Sequence, residues 1–146
     1  MNDAEILAKA IKIASFEFRD VMDKGGNPYI LHCLAVMYGV EHLGKRAMAA
    51  AVLHDLLEDT EWTVERLGKV GFPSDVVRAI QICTRGEEEE YLSYIGRVSC
   101  YPITKAIKLA DLQHNMRPDR LIDLSEKSME RMKKYHAAYQ FLLRSN

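Results

Sequence analysis

Apolar residues recur along this chain at intervals of three and four, while the period-two alternation of half-buried strands is scarce. That spacing restricts the fold to packed amphipathic helices, and the chain is read as all-α. No repeat or linker interrupts the pattern. Residues 1–146 are therefore expected to form one domain, which buries roughly two-thirds of the surface exposed by its unfolded chain and needs no disulfide or metal merely to fold.

The periodicity predicts a first helix over Asp3–Val21, stopped by "DKGGNP", and a second over Pro28–Glu41 with Pro28 in its first turn. A third, over Arg46–Leu57, contains the alanine-rich "RAMAAAVLHDL", which permits close approach by neighbours and marks it as central. A shorter helix follows Thr63, and another follows "GFPSD" with Ser74 as its N-cap. The segment "GEEEEYLSYIGRV" reads as an amphipathic helix with Glu87–Glu90 as a solvated face. Pro102 opens a helix through "ITKAIKLADLQHNM", ending near Arg117-Pro118. The last helix runs from about Asp123, at capping-box spacing from Glu126, to Leu143.

A formal net charge of -1 and a hydrophobic share of 48% give no sign of disorder or of a general attraction to nucleic acid or anionic membranes. Any anionic substrate must be met by a local site. The three cysteines are an odd number, far apart and without a CxxC pair, which suits reduced thiols in a cytoplasmic protein. "MNDAEILAKA" has no basic region leading into a long apolar run, and no segment reaches membrane-span length. Oligomeric state is left open.

Chemistry concentrates in "AVLHDLLEDTEW", where His54, Asp55, Glu58 and Asp59 lie in an apolar helical segment. Buried charges are costly unless paired or bound to metal. On a helix His54 and Glu58, and likewise Asp55 and Asp59, are one turn apart and project near one another. Asp111, with His114 and Asn115 beyond it, and His32 in "PYILHCLAV" are further polar positions in apolar helices. Three helices thus each aim a potential ligand inward. Imidazole and carboxylate donors together suit Mn²⁺, Fe²⁺ or Zn²⁺ better than Ca²⁺. Such an ion acidifies water and polarises a phosphoryl oxygen, and Glu58 and Asp59 are placed to orient that water or take its proton. The reaction class is metal-assisted hydrolysis. His114 reads as a core residue or a neighbour of a ligand. Of the basic residues Lys108, Arg117 and Arg120, Arg117 is the foremost candidate for substrate phosphates, although cations near a helix C-terminus are expected anyway.

"HDLLEDT", an upstream His and a downstream "KLAD" resemble the HD-domain metal-dependent phosphohydrolases. More narrowly, "GGNPYILHCLAV", "AAAVLHDLLEDTEWT" and "IKLADLQHNMR" resemble the hydrolase domain of RelA/SpoT alarmone enzymes and their small stand-alone relatives. The resemblance implies an HD-domain helical bundle binding one metal, usually manganese in that family, through His32, His54, Asp55 and Asp111. It implies Glu58 and Asp59 as the catalytic pair, and Asn115, Lys24 and Tyr135 as substrate contacts. The substrate implied is a phosphorylated nucleotide, guanosine tetra- or pentaphosphate, losing pyrophosphate from its 3′ position. A chain ending at Asn146 is expected to carry no synthetase domain.

The nucleotide-reading side departs from the family pattern. Phe18, Asp20, Val21 and Asp23 of "FRDVMDK" stand where the family has His, Gly, Gln and Arg, so the charge at Asp23 is reversed, and Pro118 replaces a frequent Thr. Two alternatives follow. One is an HD-domain nucleotidase or phosphatase acting on another nucleotide, and the other is a metal-binding regulatory module without turnover.

Overall fold

Nine α-helices and two 3-10 turns account for the regular structure of residues 1–146 in the computed structural model: α1 (Asp3–Glu17), α2 (Ile30–Gly39), a turn at Glu41–Leu43, α3 (Lys45–Val52), α4 (Leu56–Asp59), α5 (Val64–Lys69), α6 (Ser74–Ile82), α7 (Tyr91–Val98), α8 (Pro102–Asn115), a turn at Pro118–Arg120, and α9 (Glu126–Arg144). There is no sheet, only one isolated antiparallel bridge between Met22 and Pro28. No helix is long and apolar enough to cross a membrane.

The centre is α3, whose residues Ala47–Val52 are all buried. Four alanines there leave room for helices on several sides, and α1, α2 and α6 all pack against it. A capping box starts α1, with Asn2 Oδ1 accepting from the Glu5 amide at 2.9 Å and Glu5 Oε2 accepting from the Asn2 amide at 2.8 Å. Its buried stripe of Ile6, Ala10 and Ala14 then faces α3. A second, smaller apolar cluster, Tyr94, Ile95, Val98, Leu112, Ala138 and Leu142, joins α7, α8 and α9.

Helix α8 also crosses α2 closely. A Cβ added at Gly39 would lie 2.7 Å from the Cβ of Ala110. This close passage brings the helix carrying His32 against the helix carrying Asp111.

Several expected boundaries shift, each for a local reason. The first helix stops at Glu17, because the chain turns through Phe18–Asp20 and then pairs Met22 with Pro28. That turn is closed by Asp23 Oδ1 accepting from the Asn27 amide at 2.8 Å, with Gly26 at φ +82°. The second helix begins at Ile30 and tightens into the Glu41–Leu43 turn. Arg46–Leu57 is not one helix. The amide and Nδ1 of His54 both donate to the Ala51 carbonyl, at 3.2 and 2.8 Å, and the chain turns through Leu53–Asp55 before α4. Ser74 lies inside α6, with Pro73 as the cap. The acidic run before Tyr91 is a loop and not a helix. At α9 the cap is Ser125, whose Oγ accepts from the Ser128 amide at 3.2 Å, while Asp123 lies outside the helix and accepts from the Ser128 hydroxyl at 2.7 Å.

Candidate metal centre

Four side chains from three segments converge where α2, the α3–α4 turn and α8 meet. Ligand atoms of His32, His54 and Asp55 all lie within 4.8 Å of one another. Asp111 Oδ1 is 2.9 Å from His32 Nε2 and 3.4 Å from His54 Nε2, and Asp55 Oδ2 is 3.1 Å from His54 Nε2. His32, His54 and Asp111 are 2%, 3% and 4% exposed, and Asp55 is half-buried at the edge of this cluster of two imidazoles and two carboxylates. The break after α3 brings the adjacent His54 and Asp55 together, although successive residues of an unbroken helix would diverge by about 100°.

Hydrogen bonds from outside the cluster hold each of its four side chains in place. A carbonyl can only accept, so His54 Nδ1 donates to Ala51, and Nε2 is the atom turned to Asp55 and Asp111, buried with no hydrogen bond of good geometry. His32 Nδ1 lies 2.7 Å from Nδ1 of His114. Burial first, and the neighbouring His32 next, push the His114 imidazole down to about 4, so it is neutral at ordinary pH, and one proton joins the two Nδ1 atoms. Asp111 accepts from Lys108 Nζ at 2.7 Å on Oδ2 and from Asn115 Nδ2 at 3.1 Å on Oδ1. Asp55 Oδ2 accepts from the Tyr29 hydroxyl. Partners of this kind fix tautomer and orientation at metal sites.

Electrostatics agree. Burial disfavours a charged His54, yet Asp55 and Asp111 outweigh it and hold the imidazole well above its ordinary range. Burial likewise opposes the Asp111 carboxylate, but Lys108, His32 and His54 keep it well below the usual carboxylate range. The pull on a proton at this point is the pull a dication would feel. The donor set and the orphaned Nε2 together fit a divalent cation.

Beside the cluster runs a cleft of about 500 Å³. It meets the cluster through Tyr29 and Asn115, and Asp59 faces it. Lys24 and Tyr135 line it as well, together with two cations, Arg120 and Arg131. Glu58, beside Asp59 on α4, does not line the cleft but is close enough to Asp55 and Lys108 to feel their charges, and its Oε1 accepts from the Arg85 amide at 2.6 Å. Burial raises both carboxyls, and the Arg85 amide partly offsets this at Glu58 while Asp55 adds to it at Asp59.

Arg117, the foremost expected phosphate contact, does not line the cleft; its guanidinium forks onto Asp119 at 3.0 and 2.7 Å. Lys108 is spent on Asp111. Arg131 was not singled out from sequence, though its place one turn before Tyr135 puts both on one face of α9. The same periodicity, as an i,i+3 pair, relates Lys108 to Asp111.

No family model matches the sequence. It is 31% identical over 127 residues to the guanosine-3′,5′-bis(diphosphate) 3′-pyrophosphohydrolase MESH1 of Danio rerio, a match covering 80% of this chain and 70% of that protein. The chain belongs to this family of HD-domain alarmone hydrolases. It is also 33% identical over 127 residues to a probable GTP pyrophosphokinase of Mycobacterium leprae, of which the match covers only 16%. A solved metazoan ortholog of SpoT superposes with a TM-score of 0.79 at 22% identity, covering 97% of this chain and 87% of that one, and has the same all-α fold.

Within this alarmone hydrolase fold the departing "FRDVMDK" segment has clear structural duties. Phe18 is buried edge-on against Tyr29, with ring centroids 5.1 Å apart. Val21 lines the cleft and Asp20 is exposed beside Arg19. Asp23 closes its own turn and lies 3.5 Å from Arg120. Pro118 starts the turn that presents Arg120.

Proposed function

We propose that this protein removes pyrophosphate from the 3′ position of guanosine tetra- or pentaphosphate, using one manganese ion held by His32, His54, Asp55 and Asp111. The observation that carries this reading is the buried, unpartnered Nε2 of His54, set between two carboxylates in a chain that belongs to the alarmone hydrolases. A dication held there supplies Lewis acidity toward a phosphoryl oxygen and acidifies water.

The chain's own groups do the rest. Glu58 and Asp59 orient the attacking water and take its proton, and their raised carboxyls bring them nearer to working pH as bases. Lys24, Arg120 and Arg131, all in the cleft lining, meet phosphate charge, Asn115 places the ribose, and the Tyr135 ring forms part of the wall. Tyr29 and Lys108 keep Asp55 and Asp111 in position. The unpaired thiols of Cys33, Cys83 and Cys100 support a cytoplasmic setting for one domain spanning residues 1–146.

A second reading, hydrolysis of a different phosphorylated nucleotide, is favoured by Asp23, whose carboxylate sits in the cleft wall and engages Arg120. Turnover of a panel containing guanosine tetraphosphate, nucleoside monophosphates and nucleoside 3′-phosphates, with manganese, separates the two. Release of pyrophosphate from the tetraphosphate alone supports the first reading, and orthophosphate from a monophosphate alone overturns it. Asp55→Asn is expected to lose both bound manganese and turnover with helix content unchanged, whereas Glu58→Gln keeps the metal and loses most of the rate.

A further inference from the structure

The acidic segment before α7 does more than solvate a surface. Its only inward-turned carboxylate is Glu89, and the guanidinium of Arg97 on α7 grips it in a fork, Nε to Oε2 at 3.0 Å and Nη2 to Oε1 at 2.9 Å. The same guanidinium donates to the carbonyls of Ile82 at 2.8 Å and Thr84 at 3.0 Å. Glu89 in turn accepts from the Gly86 amide at 3.1 Å through Oε1, and its carbonyl accepts from Arg85 Nε at 2.8 Å. One arginine therefore ties the end of α6, the following turn and the start of α7 into a single knot. Inside that knot the Arg85 amide points out and donates to Glu58 at 2.6 Å.

We propose that Arg97, which lines neither the cleft nor the metal cluster, is a positioning residue for the reaction: it fixes the Thr84–Glu90 loop so that the Arg85 amide holds Glu58 in its working orientation. The inference rests on the proposed role of Glu58. A backbone amide cannot be tuned through its own side chain, so the loop conformation sets its direction, and four donors of one planar guanidinium set the loop. Without that cation, the mutual repulsion of the consecutive carboxylates Glu87, Glu88, Glu89 and Glu90 in a glycine-containing turn is less offset. Such a segment opens readily, and a small displacement of a reacting group is costly in rate.

The test is a double-mutant cycle on the full chain with manganese and guanosine tetraphosphate. Arg97→Met is expected to lower kcat by about tenfold to a hundredfold, with KM and manganese affinity within about twofold of the parent. Arg97→Lys keeps the charge without the fork and recovers only part of the loss. In a Glu58→Gln background Arg97→Met is expected to cost less than about twofold more, because both changes act through one group. Glu89→Gln removes the same clamp from its other end and carries the test where Arg97→Met does not fold. An unchanged kcat in both clamp variants, or an undiminished loss in the Glu58→Gln background, overturns the proposal. Full activity of Glu58→Gln alone would instead remove the role of Glu58 on which it rests.

Discussion

Replacing Gly39 by alanine probes the crossing that brings two ligand helices together. The new Cβ would stand 2.7 Å from the Cβ of Ala110. Carbon atoms pack at roughly 3.5–4.0 Å, so α2 and α8 must part by about 1 Å. Neither atom is the end of a flexible side chain, so the strain falls on the helix backbones. Overpacking of this kind costs ~1–3 kcal/mol, of which the better helix propensity of alanine returns ~0.5–1 kcal/mol. A net loss of about 1–2 kcal/mol lowers Tm by roughly 5 °C in a chain of this size. The same parting loosens the contact, now 2.9 Å, between Asp111, the residue after Ala110, and His32, two turns before Gly39. Manganese affinity should fall by about tenfold, as for a disturbed ligand environment. Thermal denaturation and a calorimetric manganese titration read the two effects. Adding Ala110→Gly moves the methyl group from one helix to the other and should restore both. Parental Tm and affinity in Gly39→Ala, or a double variant no better than the single, would refute the reasoning.

Two further outcomes can be checked. His114→Ala removes the hydrogen-bond partner that holds His32 Nδ1 and is expected to weaken manganese binding about tenfold to a hundredfold, measured by competition with a chelating dye, while Tm of the metal-free protein changes little. The carboxyl of Glu89 is held near 2 by its hydrogen bonds to Arg97 and the Gly86 amide, below its ordinary value of 4.5. Because the folded-state value is the lower one, this contribution to stability is present above pH 4.5 and is lost as the pH falls toward 2. Glu89→Gln should therefore flatten the dependence of Tm on pH in that window, and an unchanged slope would show that the fork contributes nothing to stability.

The helical character of the chain was legible because apolar spacing reports burial directly, and Ala47–Val52 is buried on every side. The polar residues His32, His54, Asp55 and Asp111 stood out for the converse reason, as charge and imidazole in apolar surroundings, and the fold gathers them. The break inside "AVLHDLLED" was not legible, since it depends on a His54 side chain donating to the Ala51 carbonyl, and no periodicity records which donor claims an acceptor. The acidic run suffered in the same way. Its carboxylates look alike in sequence, yet Glu89 alone turns toward Arg97, eight residues on. Arg117 and Arg131 exchanged expectations because proximity to the "HNM" segment in sequence is not proximity to the cleft: a neighbouring Asp119 captures the first, and a helix from the far end of the chain delivers the second.

Helix α8 belongs to both apolar clusters, with Ile107 in the larger and Leu112 in the smaller, and Asp111 stands between them. An ion drawn to Asp111 while gripping His32 and the His54-Asp55 turn would act as a rivet through the joint between the two halves of the molecule. Loading and cohesion would then be one property: chelation would free the smaller α7–α9 cluster to breathe against the rest, and anything that loosened that cluster would also release the ion.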